Sequence, residues 1–498
     1  MAKNSKKETR TIEELLEEAL VPESGQPYKI PDNWVWTRLV NISNLITKQT
    51  GFDYTNHIKP SLLNSKIKDS IPMIQTRNFN KNGFSIDTEY YIPLKIAEKF
   101  PKIVLNEKSL LLSIVGASIG NVGFFNISNT CFLGGAISII KLNLEDSYEY
   151  VFNFLQSHEG QIQIKFNEKS TAQPTITVQN IREIPIPLPP IKEQKRIVEK
   201  LESMLGKIKQ SKELIEEAKN TFKNRRASIL AKAFSGKLTK NWREENPSNE
   251  DFSDILEKKP YKIPKSWKWK KLLEISTINM GQSPNGESYN EQGIGIPLIN
   301  GPVEFGKEDL SFTIKSKWTT KPTKICEEGD LLICVRGSTT GRLNISSFKS
   351  CIGRGVASIR AKEYQKYLNY RILSLRKFIY SLGTGTTFPN ISSKDLYNLD
   401  IPLPSLPEQK EIVRIVENLL KIENEALEKI ESMEEHLELL EKSILSKAFR
   451  GELGTNNPDE ESSISLLKEI LEESKNDIVS IKDSNKISNK QEQISFLN

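Results

Sequence analysis

The chain has 498 residues, 37% of them hydrophobic, a formal charge of +6 and a pI near 8.8. That length exceeds one ordinary core, so two or more domains are expected; the mild basicity allows a nucleic-acid partner without requiring one. No apolar run reaches the roughly 18 residues of a membrane span, and Cys131, Cys326, Cys334 and Cys351 lack CxxC spacing, which fits reduced thiols better than disulfides or a zinc site.

Residues 1–26 begin basic but carry no apolar core or cleavage site, so they read as a helical segment rather than a signal peptide, and the reduced-thiol pattern of the four cysteines fits a cytoplasmic protein. Residues 27–189 mix β-branched runs, Gly turns and scattered amides and cations, the pattern of an α/β module of twisted strands with a few helices. Pro187, Pro189 and Pro190 close that module. The period then turns helical over 190–236, with Val198, Leu201, Leu205, Ile208, Ile215, Phe222 and Ile229 in three- and four-residue steps or whole heptads. Gly236 ends this helix with a residue that tolerates left-handed backbone. After a linker at 237–259, a second module covers 260–404 and closes at Pro402, Pro404 and Pro407. A second helix at 405–451 carries Val413, Val416, Leu420, Leu427, Ile430, Leu437 and Ile444 in the same frame, up to Gly451. The tail, 452–498, turns polar from about residue 475 and is expected to be partly disordered.

The second half repeats the first. PYKIPDNWVWTRLVNIS (27–43) returns as PYKIPKSWKWKKLLEIS (260–276), IPMIQTRNF as IPLINGPVEF, LLLSIVGASIG as LLICVRGSTTG, and CFLGGAISII as CIGRGVASIR. From TAQPTI (171–176) against TTFPNI (386–391) the copies align without a gap to GKL (236–238) and GEL (451–453). The segments before each module and after each helix also resemble one another, so the chain would read almost the same if cut at its ends and rejoined. This implies a closed, two-fold-like arrangement with neighbouring termini.

Each helix of about 44 residues would extend roughly 65 Å. Between 192 and 232 the first has 12 Lys/Arg against 6 Asp/Glu; between 408 and 447 the second has 6 against 11. Opposite net charge favours pairing with each other over self-pairing, and the cyclic repeat makes that pairing antiparallel. The competing reading, two helices each solvated and packed on their own module, leaves a long apolar seam without a partner.

Three recurring loop regions have the residue types that contact nucleic acid. The first holds Gln75, Arg77, Asn78 and Lys81, with Asn300 in the second copy; Arg suits guanine and Asn or Gln suits adenine in the major groove. The second is the Gly-framed turn 116–120 with Ser118, and 337–341 flanked by Arg336 and Arg342. Its GxxxG spacing lacks the P-loop lysine, so a turn between strands is favoured over a phosphate cradle. The third is 168–174, with Lys169, Ser170, Thr171 and Gln173, against 383–389, with Thr384, Thr386 and Thr387. Trp34, Trp36, Trp267 and Trp269 could stack on bases, but packing is the stronger reading. Cys131 and Cys351 align as equivalent core positions. From 261 to 403 the second module has 21 Lys/Arg against 12 Asp/Glu, and from 28 to 188 the first has 16 against 13, so the second would supply more of any salt-dependent affinity.

Catalytic signatures are missing. His57, His158 and His436 show no metal-ligand spacing, so neither metal nor cofactor is expected. Nucleophile elbow, Walker lysine and dinucleotide fingerprint are absent, and NPSN at 246 and NPDE at 457 lack the second proline and the aromatic of an adenine methyltransferase motif.

At the module-to-helix joints (IPLPPIKEQKRIV, IPLPSLPEQKEIV), the helix ends (SILAKAFSGKL, SILSKAFRGEL) and the module starts (PYKIPDNW, PYKIPKSW), the chain resembles the specificity subunits of type I restriction-modification systems over nearly its whole length. The resemblance implies two target-recognition domains, each reading half of a bipartite double-stranded DNA site. It implies spacer helices that set the gap and bind modification subunits, two of them, with adenine methyltransferase activity. A restriction subunit with ATP-driven translocase and nuclease activity would join the complex. Phe388 and Asn390 replace Gln173 and Thr175, so the modules should prefer different half-sites. A stand-alone bipartite DNA-binding regulator, or the specificity chain of another multi-subunit restriction system, remains open at this point.

Overall fold

The computed structural model describes residues 10–80, 83–166, 174–252, 260–383 and 389–476. Its contacts divide the chain into two units: residues 1–213 with 434–498, and residues 214–433. Each unit holds one module, part of the first long helix, Ile191–Phe234, and part of the second, Leu406–Phe449.

In the first unit the apolar run SLLLS becomes strand Ser109–Ser113, all five residues buried, because it is central to a sheet covered on both faces. That antiparallel sheet runs in the order Ser43–Lys48, Ile137–Leu142, Ser109–Ser113, Val122–Phe125. A second sheet runs in the order Tyr91–Pro93, Ser70–Ile74, Cys131–Leu133, Val104–Leu105, and contains one parallel pair, Cys131–Leu133 beside Ser70–Ile74. A ribbon of Val35–Arg38 and Pro185–Leu188 joins the two ends of the module.

The second unit repeats this plan. One sheet runs Ser276–Met280, Val356–Ala361, Leu331–Cys334, Leu343–Ile345, and Lys268–Lys271 pairs with Asp400–Leu403. The other sheet has five strands and keeps the single parallel pair, here Ile296–Ile299 beside Ser350–Ile352. The strand registers correct one sequence equivalence. Phe132 lies opposite Met73, whereas Cys351 lies opposite Leu298, so Cys351 occupies the place of Phe132 and Cys131 that of Ser350. All three residues of each strand are buried, so no alternation of buried and exposed positions marked the one-residue offset in the aligned letters.

The helices pair antiparallel inside each unit. Ile197, Leu201 and Ile208 from the start of the first share a core with Ile444, Ala448 and Phe449 from the end of the second. In the second unit Ile229, Ala233 and Phe234 share a core with Ile412, Val413 and Val416. Of the seam positions, Leu201, Ile208, Ile215, Ile229, Val413, Val416 and Ile444 are buried. Val198, Leu205, Leu420 and Leu437 pack partly buried against the cores, and Phe222, Leu427 and Ile430 are also half-buried. Opposite charges meet as expected, Lys212 with Glu441 in one unit and Arg225 with Glu423 at 3.1 Å in the other.

The recurring motifs form the joints between module and helix. Trp34 Nε1 donates to Glu193 Oε2 at 2.9 Å, and Trp267 Nε1 donates to Glu408 Oε2 at 2.8 Å. Gln194 and Gln409 donate to the carbonyls of Pro189 and Pro404, capping the strand that precedes each helix. Gly236 and Gly451, at φ +75° and +72°, end the helices. A Cβ there would lie 2.4 Å from Pro264 and 2.2 Å from Pro31, so the glycines also admit the proline of the PYKIP motif. All four repeated tryptophans are buried and serve packing.

The outermost described segments of the chain meet within the first unit. Residues 463–476 form a helix that buries Leu467 and Ile470, and Lys475 Nζ donates to the Arg10 carbonyl at 2.9 Å. Residues 477–498, which include most of the tail expected to be disordered, lie outside the described residues.

Candidate nucleic-acid interface

The carboxyl ends of the parallel strand pair bring recurring loops together in the second module. In the second unit Asn300 follows strand Ile296–Ile299, Arg336 follows Leu331–Cys334, and Arg354 lies in the turn between Ser350–Ile352 and Val356–Ala361. Side chains of Ser283, Tyr289, Asn300, Arg336 and Arg354, with Gly337 and Gly355, line one open cleft of about 570 Å³.

The backbone sets this geometry. Buried Glu304 accepts from the Asn300 and Gly301 amides at 3.2 Å each, fixing the turn that presents Asn300. A Cβ on Gly353 would lie 1.9 Å from Asn300 Oδ1, and one on Gly355 would lie 2.9 Å from the Asn300 carbonyl. Two glycines therefore let the 353–355 turn lie flush against Asn300, with Arg354 between them. Arg336 is held by an isolated bridge to Asn390, at the edge of the third recurring loop. Thr340 Oγ1 donates to the Pro389 carbonyl at 2.9 Å, tying that loop to the Gly-framed turn.

Chemically, the cleft offers cationic forks, an amide and hydroxyls, and no nucleophile activated by a base. Among the described residues no group of three or more His, Cys, Asp or Glu is placed to hold a metal ion, and no helix is long and apolar enough to cross a membrane. Burial pushes the Cys334 thiol, two residues before Arg336, up to about 11 from the ordinary 9.0, so it is even further from the thiolate at neutral pH.

Three sequence candidates do other work. Asn78 is buried: its Oδ1 accepts from the Gln75 amide, and its Nδ2 donates to the carbonyls of Ser85 and Asp87. With both ends of the amide engaged it clamps the turn, as Glu304 does in the other module. Ser118 Oγ pairs with Ser113 Oγ at 2.7 Å and closes its own turn. Arg342 donates to the Gly306 carbonyl at 2.7 Å and to Lys307 at 3.3 Å, so its guanidinium is committed to loop backbone. Gln75 is half-buried at the start of the clamped turn, and Arg77 is exposed in a surface pair with Glu89 at 3.3 Å. Lys81, Lys169, Ser170, Thr171, Gln173, Thr384, Thr386 and Thr387 lie outside the described residues.

Arg354, Ser283 and Tyr289 escaped the sequence reading. Arg354 had a signal: a lone arginine framed by Gly353 and Gly355 beside an apolar strand, where the other copy has only glycines and alanine. The first module keeps the scaffold but not the chemistry. Val115 bridges Thr175 where Arg336 bridges Asn390, and the strand register puts Gly135 at the place of Arg354.

Comparison with known proteins agrees with this architecture. The model of the type I restriction modification DNA specificity domain matches twice, at residues 34–220 and 264–432. The specificity subunit of the type I restriction enzyme EcoBI from Escherichia coli is 28% identical over 476 residues, covering 89% of this chain and 93% of that one. A chain from a study of complex assembly and conformational transition in the type I R-M system shares 26% identity with a TM-score of 0.68, covering 86% of this chain and all of that one. The crystal structure of the HsdS subunit from Thermoanaerobacter tengcongensis, also 26% identical, gives a TM-score of 0.54 over 86% of this chain and 99% of that one. With two matched copies of that domain, joined by the motifs that build the module-to-helix joints, the chain belongs to the DNA specificity subunits of type I restriction-modification systems.

Proposed function

We propose that residues 27–189 and 260–404 are the two target-recognition domains, each reading one half of a bipartite, asymmetric site in double-stranded DNA. Residues 190–236 and 405–451 act as spacers, 237–259 link the halves, 1–26 are an N-terminal helical segment and 452–498 a C-terminal segment. The chain itself carries no catalysis. It works in the cytoplasm, recruiting two modification subunits that methylate adenine and restriction subunits that translocate DNA with ATP. Gln75, Arg77, Lys81, Asn300, Arg336 and the hydroxyl-rich loops at 169–173 and 384–387 are the proposed DNA contacts.

The observation that supports this most is one scaffold occurring twice with different side chains at the same loop cluster: Arg336 and Arg354 in one module, Val115 and Gly135 in the other. A shared frame with divergent loop chemistry is what reading two different half-sites requires. Co-expression with adenine methyltransferase subunits should yield a stable complex that methylates one bipartite motif, read by methylome sequencing. Removing one heptad from one spacer helix should change the gap between half-sites and leave their sequences intact. A chain that binds no methyltransferase subunit, or a heptad deletion that rewrites the half-site bases, would count against the proposal.

A further inference from the structure

Six arginines occur between 260 and 404, and four are committed within the second unit. Arg360 forms a two-pronged pair with Asp330 at 2.6 and 3.0 Å, and Arg376 pairs with Asp309. Arg342 holds loop carbonyls, and Arg371 is buried against the rings of Phe234 and Tyr261 while donating to the Asp400 carbonyl. The remaining two, Arg336 and Arg354, are exposed, and their guanidiniums have no hydrogen-bond or ion-pair partner among the described residues. Both line the cleft beside Asn300.

From this we propose that the second module is a guanine reader, with Arg336 and Arg354 donating to the O6 and N7 edge of guanine in its half-site. The inference rests on the DNA-reading function proposed above and adds the base class and the module. Phosphate attraction alone does not call for these residues, because the module has fifteen lysines between 261 and 403 to supply it. A guanidinium is a rigid planar fork matched to the two acceptors on one base edge, where an ammonium is a flexible point charge. Positioning also favours base reading. Each arginine leaves a strand end beside a glycine, and the 353–355 turn is pressed against Asn300, so the forks emerge from a fixed platform rather than a mobile tail. The first module, with Val115 and Gly135 at these places, has no such pair and reads its half-site with other groups.

The test uses the complex with its methyltransferase subunits and short duplexes carrying the motif found by methylome sequencing. One half of the motif should contain a G·C pair at which 7-deazaguanine, which lacks the N7 acceptor, weakens binding roughly tenfold or more. In Arg354→Ala or Arg336→Ala that substitution should have little further effect, and discrimination at that pair should relax while the other half-site stays strict. Arg354→Lys should keep general affinity but weaken the discrimination, which separates impaired reading from lost folding. A motif without guanine in either strand of the affected half overturns the proposal. So do arginine variants that weaken every duplex equally and lower the salt dependence, the signature of phosphate contacts. If the wild-type complex methylates no specific motif at all, the underlying DNA-reading function fails instead.

Discussion

Trp267 is locked to Glu408 by a buried 2.8 Å hydrogen bond from its indole, and the same carboxylate accepts from Thr239 Oγ1 at 2.7 Å and from Arg243. One acidic side chain at the start of the second helix thus gathers the module start, the residues after the first helix and a guanidinium. Glu193 gathers Trp34, Thr455 and Asn456 in the first unit.

Removing Glu408 therefore strands several buried donors at once. Glu408→Ala should destabilise the second unit by about 3 kcal/mol, the usual scale for breaking a buried ion pair. Trp267→Phe removes one donor and leaves the carboxylate its other partners, so it should cost roughly 1–2 kcal/mol. Hydrogen exchange of residues 260–404 would show the order; equal losses in the two variants would contradict the shared-acceptor account.

A second contrast lies in the spacers. Glu423 is 1% exposed, facing Arg225 at 3.1 Å and Arg226 at 3.6 Å. The ungapped repeat gives it Ile208 as counterpart, a buried seam residue. Breaking a buried pair from one side costs more than replacing it with matched apolar volume. Glu423→Ile should leave thermal stability within about 1 kcal/mol or raise it. The double variant Arg225→Ala, Arg226→Ala should lower stability by about 2 kcal/mol, less than a fully buried case because both arginines are partly exposed. The reverse ranking in a melting experiment would show that the arginines contribute nothing to holding Glu423.

These two cases show what the sequence could and could not convey. The heptad frame, the terminating glycines and the duplicated motifs were legible because periodicity and left-handed backbone leave marks on single letters. Glu423 was not, since a charged residue within an acidic helix looks like part of a solvated face. The loop chemistry was half legible. Asn300 and Arg336 stood out by residue type, but Asn78, Ser118 and Arg342 were equally suitable letters whose polar atoms are used up by their own turns. Only the partner of each group separates a free fork from a clamp. The one-residue offset between Cys131 and Cys351 was hidden because both places are buried strand positions.

The thiols give a pH-dependent prediction. Burial raises Cys131 and Cys334 to about 11, above the ordinary 9.0. A group harder to deprotonate when folded contributes stability below its unfolded value and loses it as pH rises through the folded one, so alkaline destabilisation should develop between about pH 9 and 11. All four cysteines are buried, so a thiol reagent at pH 8 should label them only at the rate of local opening. Four thiols reacting at the speed of free cysteine would contradict that burial.

The last prediction concerns the tail of the first unit. Arg196, on the first helix, holds Glu460 through two 2.8 Å hydrogen bonds and donates from Nε to the Thr455 carbonyl at 3.0 Å. The Arg196 hydrogen bond keeps the Glu460 carboxyl below the usual glutamate value. A depressed carboxylate contributes stability above its unfolded pKa and loses it as pH falls through the folded one. The clamp should thus hold at neutral pH and release below about pH 4.5, the ordinary glutamate range. Glu460→Gln should mimic that release at pH 7, since a neutral amide cannot accept both prongs of the guanidinium. Because Ser463 begins the helix that buries Leu467 and Ile470, release should appear as faster amide exchange over 455–476, with the second unit unaffected. If exchange there is the same in Glu460→Gln and wild type, the buried apolar face of the helix, not the ion pair, is what fixes the tail, and acid should leave it docked until the core itself opens.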